Sequence, residues 1–395
     1  MEEWERDADP ETLLLHGGYD PKEHNGALNP PIYRDIAPVQ ASVQKASEYF
    51  ADAEAGFTYA RKGHQNARIL EKRLASVSGA EDALTFASGM AATNCVMLDL
   101  VSSGKHLVSQ KSIYGGTYGL FKKDFPDAGR VVTFVENALD IGEWERAIRP
   151  GVTSALWVEM PSNPVVGLVD LEAIVRLGRA HNVPVVVDNT FNPFFFNPFR
   201  WGASLVVRSG SKYENLGSDG LIGFAIGSRE ILKPIRNGRY ERYGAPPGIG
   251  ESVNSEIGIR TLALRMERQS ETAKKLAEYL ERHRAVARVH YPALASSPYR
   301  DLAKKYMSKG CGAVFAVELT GGRQAAEKFM RSAKIFHHAI NLGDVRSIMT
   351  YPWGTTHMKL TPEERLMAGI NESLIRFSIG LENFFDLVAA CEAAL

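Results

Sequence analysis

Short apolar runs alternate with longer helical patterns between residues 66 and 230, and this alternation restricts the fold more than any other feature. Most of the runs are continuously apolar, as expected for strands that are covered on both faces. Alternation of strands and helices predicts an α/β fold with a mostly parallel sheet. The predicted strands span residues 83–86, 106–108, 131–135, 155–158, 184–187, 205–207 and 222–226, with helices such as 91–100 and 171–181 between them.

The C-terminal part predicts a second, smaller α/β domain. A single long helix is expected over residues 256–283, because its apolar residues recur near the helical period with charges between them. Strands are predicted at 313–319 and 374–379, and helices near 323–332 and 384–394. We therefore divide the chain into an N-terminal arm (1–62), a large domain (63–255) and a small domain (256–395).

Charge and cysteine usage exclude several classes of protein. The chain has 46 Lys and Arg against 46 Asp and Glu, so the main driver of nonspecific nucleic-acid binding is missing. No run of about 18 uncharged apolar residues predicts a membrane span, and the acidic N-terminus does not resemble a signal peptide. The cysteines have no metal-ligand spacing, so we expect no metal site. We expect Cys95, Cys311 and Cys391 to be small buried side chains. Their use as free thiols predicts a reducing cytoplasm as the compartment.

Two predicted strands end near residues that can carry chemistry. Asp188 ends one apolar run, and Lys212 follows the next run within Ser209-Gly210-Ser211-Lys212. Strand ends of an α/β sheet meet in one crevice, so these side chains are expected to reach the same ligand. Pyridoxal 5'-phosphate (PLP) requires such a pair: a lysine that condenses with its aldehyde, and a carboxylate that keeps its ring nitrogen protonated.

Other segments supply the groups that the rest of such a cofactor needs. Ser88-Gly89-Met90 lies between a predicted strand and a predicted helix, where backbone N–H groups bind anions. The hydroxyls of Ser209 and Ser211 can add to a phosphate site, and Tyr114 can stack on a ring. Singly, each motif is typical of a helix cap, a turn or a solvated charge. Their joint order along the chain favours the cofactor.

The complete set of motifs resembles the cystathionine γ-synthase-like enzymes of cysteine and methionine metabolism, which are fold-type I PLP-dependent enzymes. The resemblance extends from about His16 to the C-terminus. It implies a large domain with a mostly parallel seven-stranded sheet, and a smaller C-terminal α/β domain. The matching segments are Tyr59-Ala60-Arg61, 87–92, Tyr114-Gly115-Gly116-Thr117, Pro161-Ser162-Asn163-Pro164, 187–190, 209–213, Asn341-Leu342-Gly343-Asp344, Thr355-Thr356-His357 and 374–380.

The resemblance also implies a role for each matching residue. Lys212 would hold the cofactor and then move protons between substrate carbons. Asp188 would pair with the pyridinium nitrogen, and Tyr114 would stack on the ring and assist proton transfer. Arg376 would bind the substrate carboxylate with its planar fork of donors, with Asn341 beside it.

The remaining implied roles concern the cofactor and the assembly. Phosphate ligands would come from Ser88, Gly89, Met90, Ser209 and Ser211. Asn163 would lie beside the 3-oxygen of the ring. Tyr59 and Arg61 would reach the cofactor phosphate of a neighbouring subunit, which implies a homo-oligomer; the family is usually tetrameric.

Two reactions of this family remain open. The segments 341–344, 355–357 and Ala368-Gly369-Ile370 most resemble O-acylhomoserine sulfhydrylases, and Gly116 stands where methionine γ-lyases typically carry cysteine. We therefore expect γ-replacement on O-acetyl- or O-succinyl-L-homoserine by sulfide or a small thiol. The unusual loops 62–66 and 214–217 keep open a γ-lyase that releases 2-oxobutyrate and ammonia.

Two other classes fit the sequence less well. Ser209-x-x-Lys212 also matches the serine–lysine motif of penicillin-binding enzymes, but Gly220 follows Ser218-Asp219 where their second motif needs asparagine, and no Lys-Thr-Gly follows. A noncatalytic scaffold on the same fold would bind no PLP. The visible absorption of a reconstituted protein separates the scaffold from the enzyme.

Overall fold

The computed structural model describes residues 3–52, 55–358 and 360–395. Within these residues, seven strands form one sheet in the spatial order β1-β7-β6-β5-β4-β2-β3. Strands β2 to β6 pair in parallel, whereas β7 runs antiparallel to both of its neighbours. The prediction of a large, mostly parallel sheet is confirmed. Its strands are β1 (Asp82–Phe86), β2 (His106–Gln110), β3 (Val131–Val135), β4 (Thr153–Glu159), β5 (Val185–Asp188), β6 (Leu205–Arg208) and β7 (Gly223–Gly227).

A second, smaller sheet follows, as predicted. Its spatial order is β10-β11-β12-β9-β8, and neighbouring strands are antiparallel except for β10 and β11. The sequence predicted β9 and β12 but not the other three. The strands are β8 (Val286–His290), β9 (Val314–Leu319), β10 (His337–His338), β11 (Ile348–Thr350) and β12 (Leu374–Ser378).

Helices cover both faces of the large sheet. Alternate residues of a strand point to opposite faces. Trp157 and Val186 therefore join one apolar cluster, while Val158 and Val187 join another that continues into the small domain. The helices are α1 (Pro10–His16), α2 (Val43–Ala51), α3 (Gln65–Ser78), α4 (Gly89–Leu100), α5 (Gly115–Gly119), α6 (Phe125–Asp127), α7 (Ile141–Ala147), α8 (Leu171–Ala180), α9 (Arg229–Ile235), α10 (Ile249–Ile259), α11 (Leu262–Leu280), α12 (Arg300–Tyr306), α13 (Gly322–Ser332), α14 (Pro362–Met367) and α15 (Phe384–Glu392).

The single long helix predicted over 256–283 is wrong. The chain forms α10 and α11, which are separated at Arg260 and Thr261. The guanidinium of Arg265 donates to the carbonyl oxygen of Gly258 at 2.7 Å and to that of Tyr213 at 2.8 Å. The side chain of Arg265 thus binds a carbonyl oxygen near the end of α10. Its bond to Tyr213 holds the junction of α10 and α11 against the loop after β6.

A buried ion cluster ties α3 and the residue that follows α9 to the first strand. Arg236 donates to Glu71 at 3.0 Å and to Asp82 at 3.2 Å, and Arg68 donates to Asp82 at 2.7 Å. Each charge has a partner of opposite sign, which offsets the cost of burial.

The N-terminal segment combines a packed helix with an exposed stretch. Arg73 of α3 donates to the carbonyl oxygens of Leu14 and Leu15 at 2.8 and 2.9 Å, which fixes the end of α1. Apolar side chains of the following stretch are exposed, including Ile32, Ile36, Val39 and Val43. The predicted arm also includes residues 1, 2, 53 and 54, which lie outside the described residues. The boundaries at 62 and 255 remain a prediction.

No helix in the described ranges is both long enough and apolar enough to cross a membrane. The cysteines are buried free thiols, as the sequence predicted, at Cys95, Cys311 and Cys391.

Candidate active site

A cavity of about 490 Å³ lies where β4, β5 and β6 end. Strand β5 ends at Asp188, its in-register neighbour on β4 is Glu159, and Lys212 follows β6. Strand β12 of the small domain contributes Arg376 to the same cavity, which therefore lies between the two sheets. The cavity brings together most of the predicted site residues: Ser88, Gly89, Met90, Tyr114, Asn163, Asp188, Ser209, Ser211, Lys212, Asn341 and Arg376.

The Lys212 amine is held inside the cavity. Its Nζ donates to Oδ1 of Asn341 at 2.6 Å. Burial, together with the nearby positive charge of Arg376, lowers the pKa of Lys212 to about 8. A lower pKa makes the neutral amine available nearer to neutral pH, and the neutral amine is the nucleophilic form.

The carboxylate of Asp188 is oriented by a threonine that the sequence reasoning missed. Oδ1 of Asp188 accepts from the backbone N–H of Thr190 at 3.0 Å and from its hydroxyl at 2.6 Å. The same hydroxyl oxygen accepts from the N–H of Ser209 at 2.9 Å, which links the ends of β5 and β6. Burial raises the pKa of Asp188 to about 6, although the bonds from Thr190 oppose the rise. A cationic ring nitrogen would favour the ionised carboxylate.

A second buried carboxylate, Glu159, was also missed. Its Oε2 accepts from the N–H of Tyr114 and its Oε1 from the N–H of Asn163, both at 2.8 Å. Burial, followed by the charge of Asp188, raises the pKa of Glu159. The carboxyl group thus fixes the backbone of two predicted site residues. The available signal was the one used for Asp188, an acidic residue that ends an apolar strand.

Arg376 is buried and held by three hydrogen bonds. Nη1 donates to Oδ1 of Asn163 at 2.9 Å, and Nη2 donates to the carbonyl oxygen of Asn341 at 2.9 Å and to the hydroxyl of Thr350 at 3.2 Å. Among the described residues, no acceptor pairs with its Nε. The protein itself therefore fixes the guanidinium in position.

The N-terminus of α4 forms another wall of the cavity. The hydroxyl of Ser88 accepts from the N–H of Ala91 at 3.1 Å, so its side chain is a helix cap. The first N–H groups of a helix have no intrahelical partner, which leaves those of Gly89 and Met90 for an anion. A Cβ on Gly89 would lie 2.7 Å from Cβ of Ser209, so only glycine permits this close approach.

The two serines before Lys212 are placed differently. The hydroxyl of Ser211 donates to the carbonyl oxygen of Ile222 at 2.9 Å and accepts from its N–H at 2.7 Å. The hydroxyl hydrogen of Ser211 is thus already donated to a backbone carbonyl oxygen. Ser209 borders the cavity beside Gly89 and makes no such hydroxyl bond in the described part of the chain. A phosphate role for both residues remains a prediction, and the geometry favours Ser209.

The ring of Tyr114 packs over Gly116 at the mouth of the cavity. A Cβ on Gly116 would lie 2.6 Å from the ring, so a larger residue at this position would displace Tyr114. The backbone bond to Glu159 holds the other end of this residue.

Tyr59 and Arg61 lie outside the cavity, in a separate surface depression. The guanidinium of Arg61 donates to the carbonyl oxygen of Glu241 at 3.1 Å and lies 5.7 Å from the ring centroid of Tyr59. The chain therefore does not bring these residues to its own Lys212. Their predicted role depends on a neighbouring subunit.

The chemistry of the donor set fits PLP. The cavity places a lysine of lowered pKa, a buried carboxylate at a strand end, and a helix N-terminus around one space. These groups match the aldehyde, the ring nitrogen and the phosphate of the cofactor.

Comparison with known proteins agrees with this chemistry. The L-methionine gamma-lyase of Pseudomonas putida is 36% identical over 386 residues, covering 97% of this chain and 96% of the relative. The O-acetyl-L-homoserine sulfhydrylase 1 of Thermus thermophilus is 34% identical over 418 residues, with 98% and 99% coverage.

Solved structures share the whole fold. The metB structure from Corynebacterium glutamicum has a TM-score of 0.91 at 32% identity and covers 99% of this chain and 98% of its own. A Campylobacter jejuni structure assigned as an O-acetylhomoserine (thiol)-lyase carries a pyridoxyl-lysine, with a TM-score of 0.94 at 31% identity and 98% and 99% coverage. The family profile for Cys/Met metabolism PLP-dependent enzymes matches residues 11–395. This chain belongs to the Cys/Met metabolism PLP-dependent enzyme family.

Proposed function

We propose that this enzyme catalyses γ-replacement on an O-acyl-L-homoserine, with sulfide or a small thiol as the incoming group. The product is homocysteine or a related thioether amino acid. PLP supplies an electron sink that stabilises negative charge on the carbons of a bound amino acid, so that a group at Cγ can leave. The protein supplies binding, orientation and proton transfer.

Four residues carry the protein's share. Arg376 binds the α-carboxylate, because its side chain lines the cavity and its guanidinium is already held in place. Lys212 accepts and returns protons at the substrate carbons, which suits an amine of lowered pKa. Asp188 balances the positive charge of the ring nitrogen, and Tyr114 stacks on the ring.

The observation that supports replacement is the packing of Tyr114 against Gly116. The resemblance to the family implies that methionine γ-lyases typically carry a cysteine at this position. In this chain a Cβ there would meet the Tyr114 ring at 2.6 Å. The site is thus built around a glycine, and this packing supports replacement.

A γ-lyase is equally well supported by the relatives. The Pseudomonas putida protein named L-methionine gamma-lyase matches this chain at an identity similar to that of the sulfhydrylase. In this reaction water completes the cycle, and 2-oxobutyrate and ammonia leave.

Product analysis by mass spectrometry separates the two reactions. The purified holoenzyme is given O-acetyl- or O-succinyl-L-homoserine with and without sulfide, and methionine in a parallel reaction. Replacement predicts homocysteine that depends on sulfide. Accumulation of 2-oxobutyrate at the same rate with and without sulfide would favour the lyase, and no product from any substrate would exclude both.

We also propose a homo-oligomer whose sites are shared between subunits. One support is that Tyr59 and Arg61 lie outside the cavity of their own chain. The other is the exposed apolar stretch that includes Ile36 and Val39, since such stretches are typical of interfaces. Hybrids of Arg61→Ala and Lys212→Ala chains should regain activity, because one site in each mixed dimer is intact. Inactive hybrids of verified composition would mean that each site is built within one chain.

A further inference from the structure

The cavity holds few positive charges for the ligands that it must bind. Of the described residues that line it, only Lys212 and Arg376 are cationic. Under the proposed function, Lys212 engages the cofactor and Arg376 engages the α-carboxylate of the substrate. The described lining therefore offers no third cation to a second carboxylate on the γ-substituent. In the proposed shared site, the Arg61 that a neighbouring subunit would add is taken up by the cofactor phosphate.

The acidic residues of the cavity cannot supply a partner for a second carboxylate either. Besides the two cations, Asp188 and Glu159 line the described part of the cavity, and both are buried carboxyl groups. A second carboxylate on the substrate would thus lose its water without gaining a compensating cation.

The mouth of the cavity is apolar. Leu221 and Ile340 line it although they are 67% and 63% exposed, and Phe191 and Leu342 lie further in. Ile340 directly precedes Asn341, which contacts Lys212, so its position relative to the reacting atoms is fixed by the backbone. Contact between these apolar side chains and an uncharged γ-substituent is favourable, because it buries apolar surface. Contact with a charged substituent is unfavourable, because the charge loses its water.

We propose that this site selects amino acids whose γ-substituent is small and uncharged. Among esters it prefers O-acetyl- to O-succinyl-L-homoserine. Among thioethers it prefers an S-methyl group to a substituent that carries a second amino acid group, as in cystathionine. This selectivity rests on the proposed function for the esters, but the same electrostatic rule holds for γ-elimination.

The test compares kcat/KM for the two esters with sulfide in the oligomeric holoenzyme. We expect the acetyl ester to be favoured at least about tenfold, since a charged hydrogen-bonding group without a partner commonly loses that much. Equal values, or a preference for the succinyl ester, would overturn the proposal.

Substitution of Ile340 tests the cause of the preference. Ile340→Lys should raise the ratio of succinyl to acetyl kcat/KM by about fivefold or more, and salt should weaken the gain because exposed charges are screened. Ile340→Gln is the matched uncharged control and should leave the ratio near that of the wild type. A ratio that Ile340→Lys leaves unchanged, with Leu221→Lys also without effect, would contradict the electrostatic explanation.

Failure of the proposed function has a different signature. If neither ester gives homocysteine, then γ-replacement is wrong, and charge selection is measured instead as 2-oxobutyrate release from methionine and cystathionine. Faster release from cystathionine would then overturn the charge proposal by itself.

Discussion

Replacement of Glu159 by glutamine should disturb the site without removing any group that touches the cofactor. The two oxygens of Glu159 each accept one backbone N–H, from Tyr114 and from Asn163, at 2.8 Å. An amide retains one acceptor oxygen, and its nitrogen cannot accept. One of the two buried N–H groups therefore loses its partner, whichever way the amide is placed.

The magnitude follows from the lost hydrogen bond. An unpaired buried N–H costs about 1–3 kcal/mol. If the chain avoids this cost by moving Tyr114 or Asn163, and the displacement persists in the transition state, kcat should fall by about 5- to 150-fold. Glutamine also removes the titration of Glu159, whose pKa is raised by burial and by the charge of Asp188. The part of the acid limb of the pH–rate profile that reports this carboxyl group should therefore be lost.

The assay measures kcat, KM, the pH profile and the bound cofactor for Glu159→Gln. The matched control is Glu145→Gln on α7, whose side chain is exposed and which should behave as the wild type. A variant that loses thermal stability but keeps the wild-type kcat and pH profile would refute the positioning role. Glu159 would then be structural only.

Three further predictions concern the lysine, the ion cluster and the cysteines. The rate at which the apoprotein captures PLP should rise with pH around a midpoint of about 8, instead of the 10.5 of an exposed lysine. Arg376→Ala should raise that midpoint. A midpoint near 10 in the wild type would contradict the assigned pKa of Lys212. Arg236→Ala leaves the carboxylates of the buried ion cluster short of a cation and should lower the free energy of unfolding by denaturant by about 3–5 kcal/mol. Replacement of the exposed Lys275 should lower it by under about 1 kcal/mol. Similar losses for the two variants would show that the cluster does not stabilise the fold. Thiol reagents at neutral pH should not label Cys95, Cys311 or Cys391 before the protein unfolds, because burial raises each pKa to about 11 or 12. Rapid labelling of the native protein would contradict the described burial.

The sequence predicted the large sheet well, because its inner strands are continuously apolar. β4 and β5 are buried on both faces, as their continuous apolar runs predict. Edge strands give weaker signals. β8 mixes Arg288 and His290 with apolar residues and is partly exposed, so the sequence did not predict it.

The break between α10 and α11 shows what periodicity cannot predict. Apolar residues continue at the helical period across Arg260 and Thr261, so the pattern alone indicates one helix. The chain turns there because Arg265 reaches back to Gly258 and across to Tyr213, a contact between residues 52 positions apart. Tertiary hydrogen bonds of this kind leave no periodic signature.

The candidate site was predictable where function follows from position along the chain. Asp188 and Lys212 follow adjacent strands, and the topology of an α/β sheet places such residues together. Glu159 follows the same rule, since it ends β4 in register with Asp188. The contact of Lys212 with Asn341 spans 129 residues and was not predicted. The resemblance to a family implied only that Asn341 would contact the substrate carboxylate.

Reductive trapping of the cofactor tests the central claim most directly. Borohydride reduction of the holoenzyme, followed by peptide mapping, should find a pyridoxyl group on Lys212, and Lys212→Ala should carry none at any position. An adduct on a different lysine of the native enzyme, or no adduct after reconstitution, would contradict the account of this site.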